Sequence, residues 1–194
     1  MQSRNWCNYY VTPQLLSPHT CDALLALAPR LPRARAVVGA NAGAGRVNRK
    51  LRRSTVRWIN NDADFAPLFD SLRYALYWYN ERHWQMELAD FDGGLQFTEY
   101  TARDRQHYGW HMDFGSGDFA HRKLSVSVVL SPRGNYEGGN FEFEDINIPP
   151  EHRKHLEHVG SALIFPSLYR HRVTPVTRGK RVSLVGWLTG PTYR

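Results

Sequence analysis

The sequence predicts an α+β fold that is mainly β, with helices first and a jelly roll or sandwich of short strands behind them. Three observations predict it. Apolar residues recur at helical spacing only within roughly the first 92 residues. Short strand-like runs then follow one another at 94–100, 107–113, 124–130, 139–143, 161–165, 171–176 and 181–188. Turn chemistry separates these runs, with no helical segment between them apart from a short piece near 150–156. Such a string points away from a parallel α/β sheet, and the leading helices suit a buttress on one face of it. A chain of 194 residues fits one domain. It divides into a helical and strand support region over 1–92 and a jelly-roll core over 93–194.

The elements can be justified in order. Ser17-Pro18 reads as N-cap and first helical position. Cys21, Leu24, Leu25 and Ala28 form one apolar face, and Pro29 is expected to stop the helix. Residues 36–46, AVVGANAGAGR, lack the Gly-Lys-Ser/Thr ending of a phosphate loop and read as a surface loop or lid. Segment 51–59 is a candidate strand. Asp64 is then the expected cap of a helix with Pro67 in its first turn and Phe65, Leu68, Phe69, Leu72, Ala75, Leu76 and Tyr79 along one stripe. Farther on, Ser131-Pro132-Arg133-Gly134-Asn135 and Gly138-Gly139-Asn140 supply the turns between strands.

Composition excludes several classes. Hydrophobic residues make up 42% and charged residues 22%, a globular balance. Two cysteines, Cys7 and Cys21, make no disulfide framework and no thiolate zinc site. The start lacks the apolar core of a signal peptide, and no apolar run approaches the roughly 20 residues of a membrane span, so the cytoplasm is the expected compartment. The net charge of +7 gathers at Arg30, Arg33, Arg35, Arg46, Arg49, Lys50, Arg52 and Arg53. The favoured reading of that cluster is a solvated face plus a loop. No nucleic-acid-binding signature accompanies it, so nucleic acid is not an expected partner. Oligomeric state is not legible.

The chemistry lies in the second half. His111 and Asp113 stand at i and i+2 of an extended run, which would place imidazole and carboxylate on one face. A pair of this kind alone reads as a surface ion pair. His171, which begins the run HRVTPV, is the best third ligand, completing the two-histidine, one-carboxylate facial triad of non-haem Fe(II) sites. Arg181 follows ten positions later, with Ser183, Val185 and Trp187 on its face by strand alternation. A guanidinium pointing into an apolar barrel needs an anion, and its planar fork suits a carboxylate. A dicarboxylate with one end on the metal and the other on Arg181, aided by the Ser183 hydroxyl, would satisfy both groups.

The runs YGWHMD, RKLSVSVVLSP, YEGGNFEF and GSALIFPSLYRHRVTPVTRGKRVSLVGW resemble the Fe(II)/2-oxoglutarate dioxygenases of the prolyl-4-hydroxylase-like group, and among them the bacterial PKHD-type hydroxylases. The resemblance covers roughly residues 95–188. It implies a distorted double-stranded β-helix, with His111, Asp113 and His171 as iron ligands and Arg181 on the distal carboxylate of 2-oxoglutarate. It implies that Trp187 lines the same pocket, that the Tyr100 hydroxyl faces the co-substrate, and that Gly138-Gly139 lets a strand pack closely. Val129 stands where one branch of the group has a carboxylate-binding tyrosine. Asp113 disfavours halogenation. The implied cofactors are Fe(II), 2-oxoglutarate and O2, with ascorbate a candidate reductant. The implied reaction hydroxylates an unactivated C–H bond and releases succinate and CO2.

Two other classes compete: a zinc or manganese hydrolase using the same triad, and a non-catalytic jelly-roll module binding nucleic acid or a small anion. Neither accounts for an arginine and an indole beside the metal ligands. The substrate is a small molecule or a peptidyl residue, and no membrane partner is expected. Ser125 and Ser127 should face the cavity, and the loop 114–122 is a candidate lid.

Overall fold

A computed structural model of the chain describes residues 6–34, 36–38 and 47–192. Most of the glycine-rich segment read as a lid, residues 39–46, lies outside the described residues, as do Arg35 and Arg46 of the basic cluster. The order is β1 (Tyr10–Thr12), α1 (Pro18–Leu27), β2 (Arg52–Arg53), β3 (Thr55–Ile59), α2 (Ala66–His83), β4 (Leu95–Thr101) and β5 (His107–His111). There follow β6 (Arg122–Val129), β7 (Tyr136–Gly138), β8 (Phe141–Phe143), α3 (Pro150–His155), β9 (Ala162–Pro166), β10 (His171–Val173) and β11 (Val176–Thr189). The two longer helices fall in the first 83 residues and eight of the eleven strands follow them, as the sequence predicts, while β1, β2 and β3 precede α2.

Two antiparallel sheets face each other. The larger runs β1-β9-β6-β11-β4-β3, with β7 joined to β11, and the smaller runs β2-β5-β10-β8. This is the two-sheet arrangement of a double-stranded β-helix. The larger sheet has two unlike faces because side chains alternate along a strand. Leu124, Val126 and Val128 of β6, Val182, Leu184 and Leu188 of β11, and Leu95 and Phe97 of β4 turn outward into the main core. There they meet Cys21 and Leu24 of α1 and Phe69, Leu72 and Leu76 of α2. The intervening residues, among them Ser125, Ser127, Tyr100, Arg181 and Ser183, turn towards the smaller sheet.

Local chemistry explains the helix ends, and corrects one expectation. Ser17 caps α1, its Oγ accepting from the Thr20 amide at 3.1 Å. The α-helix ends at Leu27, just ahead of Pro29 as expected, and the chain goes on as a 3-10 turn over Ala28–Arg30, whose early positions need no proline N–H. At α2 the organising residue is Asp62 rather than Asp64. Its Oδ1 accepts from the Asp64 and Phe65 amides, its carbonyl accepts from Ala66, and no side chain caps at Phe65. An Asx turn two residues ahead of the expected cap thus does the same work. No helix among the described residues is long and apolar enough to cross a membrane.

The strand runs also differ in detail. The expected strand over 51–59 breaks at Ser54, so β2 pairs with β5 in one sheet and β3 with β4 in the other. The expected run 139–143 shortens to β8 over Phe141–Phe143, and Gly139 and Asn140 separate it from β7, a strand not expected. Gly138 and Gly139 have φ of +70° and +57°, and a Cβ on Gly138 would stand 2.1 Å from the Pro175 carbonyl oxygen. A Cβ on Gly139 would stand 3.0 Å from Arg181 Cδ, so the glycine pair is what admits the arginine stem. Run 181–188 is the middle of the longer β11.

Packing energetics follow from α2. Phe69 is fully buried and meets Phe91 edge-on, whereas Tyr74 on the far face is 75% exposed. Phe69→Ala is expected to lower unfolding free energy by about 3–5 kcal/mol, and Tyr74→Ala by no more than about 0.5 kcal/mol. Urea unfolding of both variants measures this. Equal effects would contradict the placement of α2 on the sheet.

Candidate metal centre

β5 and β10 lie side by side in the smaller sheet, with His171 directly opposite His111. Asp113 is not on the strand, as its spacing suggested, but two residues past its end. Its amide, with that of Phe114, donates to the Ser167 carbonyl, which turns the chain inward. The three side chains nevertheless converge. His111 Nε2 stands 3.6 Å from one Asp113 oxygen and His171 Nε2 stands 3.6 Å from the other. One donor atom from each residue lies within 4.8 Å of the other two. At 3.6 Å the imidazoles do not hydrogen-bond the carboxylate. The spacing leaves room that a cation suits better than a shared proton.

The protonation states fit a cation as well. His111 Nδ1 is 2.8 Å from the Gly109 carbonyl and His171 Nδ1 is 2.9 Å from the Tyr169 carbonyl. A carbonyl only accepts, so each Nδ1 carries the proton and each Nε2 presents its lone pair to the site. Burial pulls the His171 pKa down to about 4 despite the opposing attraction of Asp113, so the ring is neutral at neutral pH. Burial alone would raise the Asp113 carboxyl. The adjoining His171 and His111, with Arg122, outweigh it and hold the group well below the usual carboxylate range. Ser125 donates to Asp113 Oδ2 at 2.7 Å and is itself 2.9 Å from Ser167 Oγ. Two imidazoles tied through Nδ1 to backbone carbonyls and one oriented carboxylate form the donor set of a non-haem Fe(II) site.

Arg181 opens on the same cavity. It lies on β11 opposite Tyr100 of β4, is 6% exposed, and extends its guanidinium 5.7 Å from the Tyr100 ring. Its Nη1 donates to Ser183 Oγ at 3.1 Å, so Ser183 braces the arginine, a contact the sequence did not suggest. Among the described residues no carboxylate pairs with it. Trp187, on the same face, has an indole Nε1 that is buried without a hydrogen-bond partner. Both groups line the cavity that contains the three candidate ligands. A buried cation and an orphaned buried donor beside a triad fit an anionic ligand reaching from the metal to the arginine. Ser127 lines this cavity too, as alternation predicted.

Of the six lining residues that escaped the sequence reading, two stand out. Tyr108 stacks on the His111 ring with centroids 3.4 Å apart and planes 9° from parallel. The two stand three apart, so simple alternation assigns them to opposite faces. A bulge reverses that: His171 pairs with His111 while Val173 pairs with Tyr108, giving β5 one residue more than β10. Arg52 is the second. The basic cluster reads as a solvated face, yet Arg52 is 6% exposed and lies 4.5 Å over the Tyr108 ring. A local signal existed for Tyr108, an aromatic within one turn of a glycine-bearing HYGWH strand. None existed for Arg52.

Comparison with known proteins gives the same picture. Residues 95–189 match the 2OG-Fe(II) oxygenase superfamily. A PKHD-type hydroxylase of Idiomarina loihiensis is 36% identical over 93 residues, covering 46% of this chain and 41% of that protein. One of Hyphomonas neptunium is 40% identical over 91 residues, covering 42% and 37%. The match thus spans less than half of these curated relatives. In fold, a Pseudomonas putida prolyl-4-hydroxylase superposes with a TM-score of 0.67 at 20% identity, covering 95% of this chain and 93% of the other. A Trichoplax adhaerens prolyl hydroxylase, solved with a hypoxia-inducible-factor peptide fragment, gives 0.70 at 18% identity, covering 94% and 84%. Residues 95–189 thus match the 2OG-Fe(II) oxygenase superfamily, the same half of the chain is similar to PKHD-type hydroxylases, and nearly the whole chain shares the fold of the prolyl-4-hydroxylases.

Proposed function

We propose that this chain is an Fe(II)- and 2-oxoglutarate-dependent hydroxylase acting on a C–H bond of a peptidyl residue, an amino acid or a small natural-product intermediate. The observation that carries the reading is a buried guanidinium, Arg181, without a carboxylate partner and on the same cavity as the His111–Asp113–His171 donors. A metal hydrolase has no use for that cation. A non-catalytic anion module has no use for the three donors. Residues 1–194 act as one oxygenase domain in this reading, in a reducing cytoplasm where Cys7 and Cys21 stay free.

Bound at the triad, iron supplies the O2 activation that splits 2-oxoglutarate to succinate and CO2 and hydroxylates the substrate. The protein's part is binding, orientation and exclusion of water. His111, Asp113 and His171 hold the metal on one side, and the backbone carbonyls of Gly109 and Tyr169 fix both imidazole tautomers. Ser125 and Ser167 keep Asp113 in its rotamer. Arg181, braced by Ser183, receives the distal carboxylate of 2-oxoglutarate as a planar fork. Trp187 Nε1 and the Tyr100 hydroxyl are the remaining donors towards that ligand. Phe141, Phe165, Val173 and Val185 add an apolar part of the wall, which strengthens each of these contacts. Ascorbate serves as the reductant for stray turnovers. A peptidyl substrate has one further support, the peptide complex of the Trichoplax prolyl hydroxylase that shares the fold.

Arg181→Ala is expected to raise the KM for 2-oxoglutarate by about a hundredfold while leaving Fe(II) affinity unchanged, because it unpairs a buried carboxylate. Succinate release against 2-oxoglutarate concentration, with iron affinity by equilibrium dialysis, measures both. An unaltered KM rejects the role of Arg181. Ser125→Ala is expected to weaken Fe(II) binding by about 10–100-fold, since a freed Asp113 loses its orientation. The same dialysis checks it, and wild-type affinity would show that the serine pair positions nothing.

A further inference from the structure

Among the described residues four arginines are buried: Arg52, Arg57, Arg122 and Arg181. Arg57 pairs with Glu99 and Arg122 with Asp92. Among the described residues no carboxylate lies within ion-pair distance of Arg52 or Arg181, and both line the metal cavity. The co-substrate accounts for one of the two. We propose that the other, Arg52, receives a carboxylate of the primary substrate, and that this substrate is a peptide with acidic residues flanking the position oxidised. The proposal rests on the hydroxylase reading above.

Arg52 is held as a binding group is held. Its Nε donates to Ser54 Oγ at 3.0 Å and its Nη2 to Gln96 Oε1 at 3.2 Å, while Nη1 reaches the Val37 carbonyl only at 3.5 Å. Two neutral side chains and the face of Tyr108 fix the fork without neutralising it. Donor capacity is left on both terminal nitrogens, and a buried charge so placed is costly until an anion arrives. The Tyr108 ring meets both the guanidinium, at 4.5 Å, and the His111 ring, at 3.4 Å. A carboxylate on Arg52 would therefore bring its own chain alongside the metal ligands.

Beyond Arg52 the cavity continues into a wider groove. Arg52 lines both, and Arg49 and Arg53 line the groove with Asp104 as its one acidic neighbour among the described residues. Arg49 and Arg53 are exposed and make no ion pair among those residues. Arg53 is steered by the Arg49 and Asp104 carbonyls. A track of three unpaired guanidiniums leading from the metal suits an extended acidic peptide. The groove presents no aromatic ring on which a base could stack, so nucleic acid fits it less well.

The test uses the full chain, with and without Fe(II) and 2-oxoglutarate, and three rhodamine-labelled nonapeptides. Each has a central proline flanked by Glu, Gln or Lys, and single-stranded oligothymidine is the fourth probe. Fluorescence anisotropy should show the Glu peptide binding at least about tenfold tighter than the Gln peptide. Arg52→Gln should remove most of that preference, and Arg52→Lys should keep part of it, charge without fork. The surface variant Arg49→Gln/Arg53→Gln leaves the buried network alone and should weaken the Glu peptide by about threefold per charge. Equal affinity for the three peptides, or tighter binding of oligothymidine, overturns the proposal. Charge preference without any iron binding would reject the hydroxylase reading and keep the groove. Iron- and 2-oxoglutarate-dependent turnover without charge preference would do the reverse.

Discussion

Arg181 stands in the middle of the longest strand, on the face that looks away from the hydrophobic core. Its neighbours along that strand, Val182 and Leu184, are buried against the helices, so the strand cannot rotate to bring the guanidinium to water. The described residues offer the cation a serine hydroxyl and a tyrosine face, and no anion. Leaving a charge in that state costs several kcal/mol. The cost makes sense if the folded protein is completed by a ligand that carries the missing charge. The glycine pair at 138–139, the brace from Ser183 and the unpartnered Trp187 indole all answer to that one requirement.

The metal ligands depend on the same sheet from the other side. Ser125 belongs to β6, and Trp187 is its partner in register on β11. Ser125 reaches across the cavity to Asp113, so the larger sheet orients a ligand that the smaller sheet's strand delivers. The two histidines come from adjacent strands of the smaller sheet and face each other in register. Neither sheet holds the site alone. Displacing one against the other by an ångström would separate donor set from guanidinium, which is why the helices matter. They press on the outer face of the larger sheet through Phe69, Leu72 and Leu76, and fix its position.

Much of this was legible in the sequence. Period-two patterning marked the strands, and the ten-residue spacing between His171 and Arg181, with Trp187 on the same face, marked the site as more than a stray His-x-Asp. The misses have local causes. A bulge in β5 breaks the alternation that would have linked Tyr108 with His111. Asp62 rather than Asp64 starts α2 because a turn can satisfy amides from two residues farther back. Ser54 splits one expected strand between two sheets, and that split is what buries Arg52. Within the run RKLRR nothing distinguishes the buried arginine from its exposed neighbours. Its burial follows from tertiary pairing of β2 with β5, which no local pattern encodes.

The central claim is that one anionic ligand bridges the three-residue donor set and Arg181. A crystal structure of the chain grown anaerobically with Mn(II) and 2-oxoglutarate tests it most directly. The account predicts a single anomalous peak ligated by His111 Nε2, Asp113 and His171 Nε2, with the far carboxylate of 2-oxoglutarate on the Arg181 guanidinium. A metal bound elsewhere, or an Arg181 that meets no carboxylate of the ligand, would contradict it.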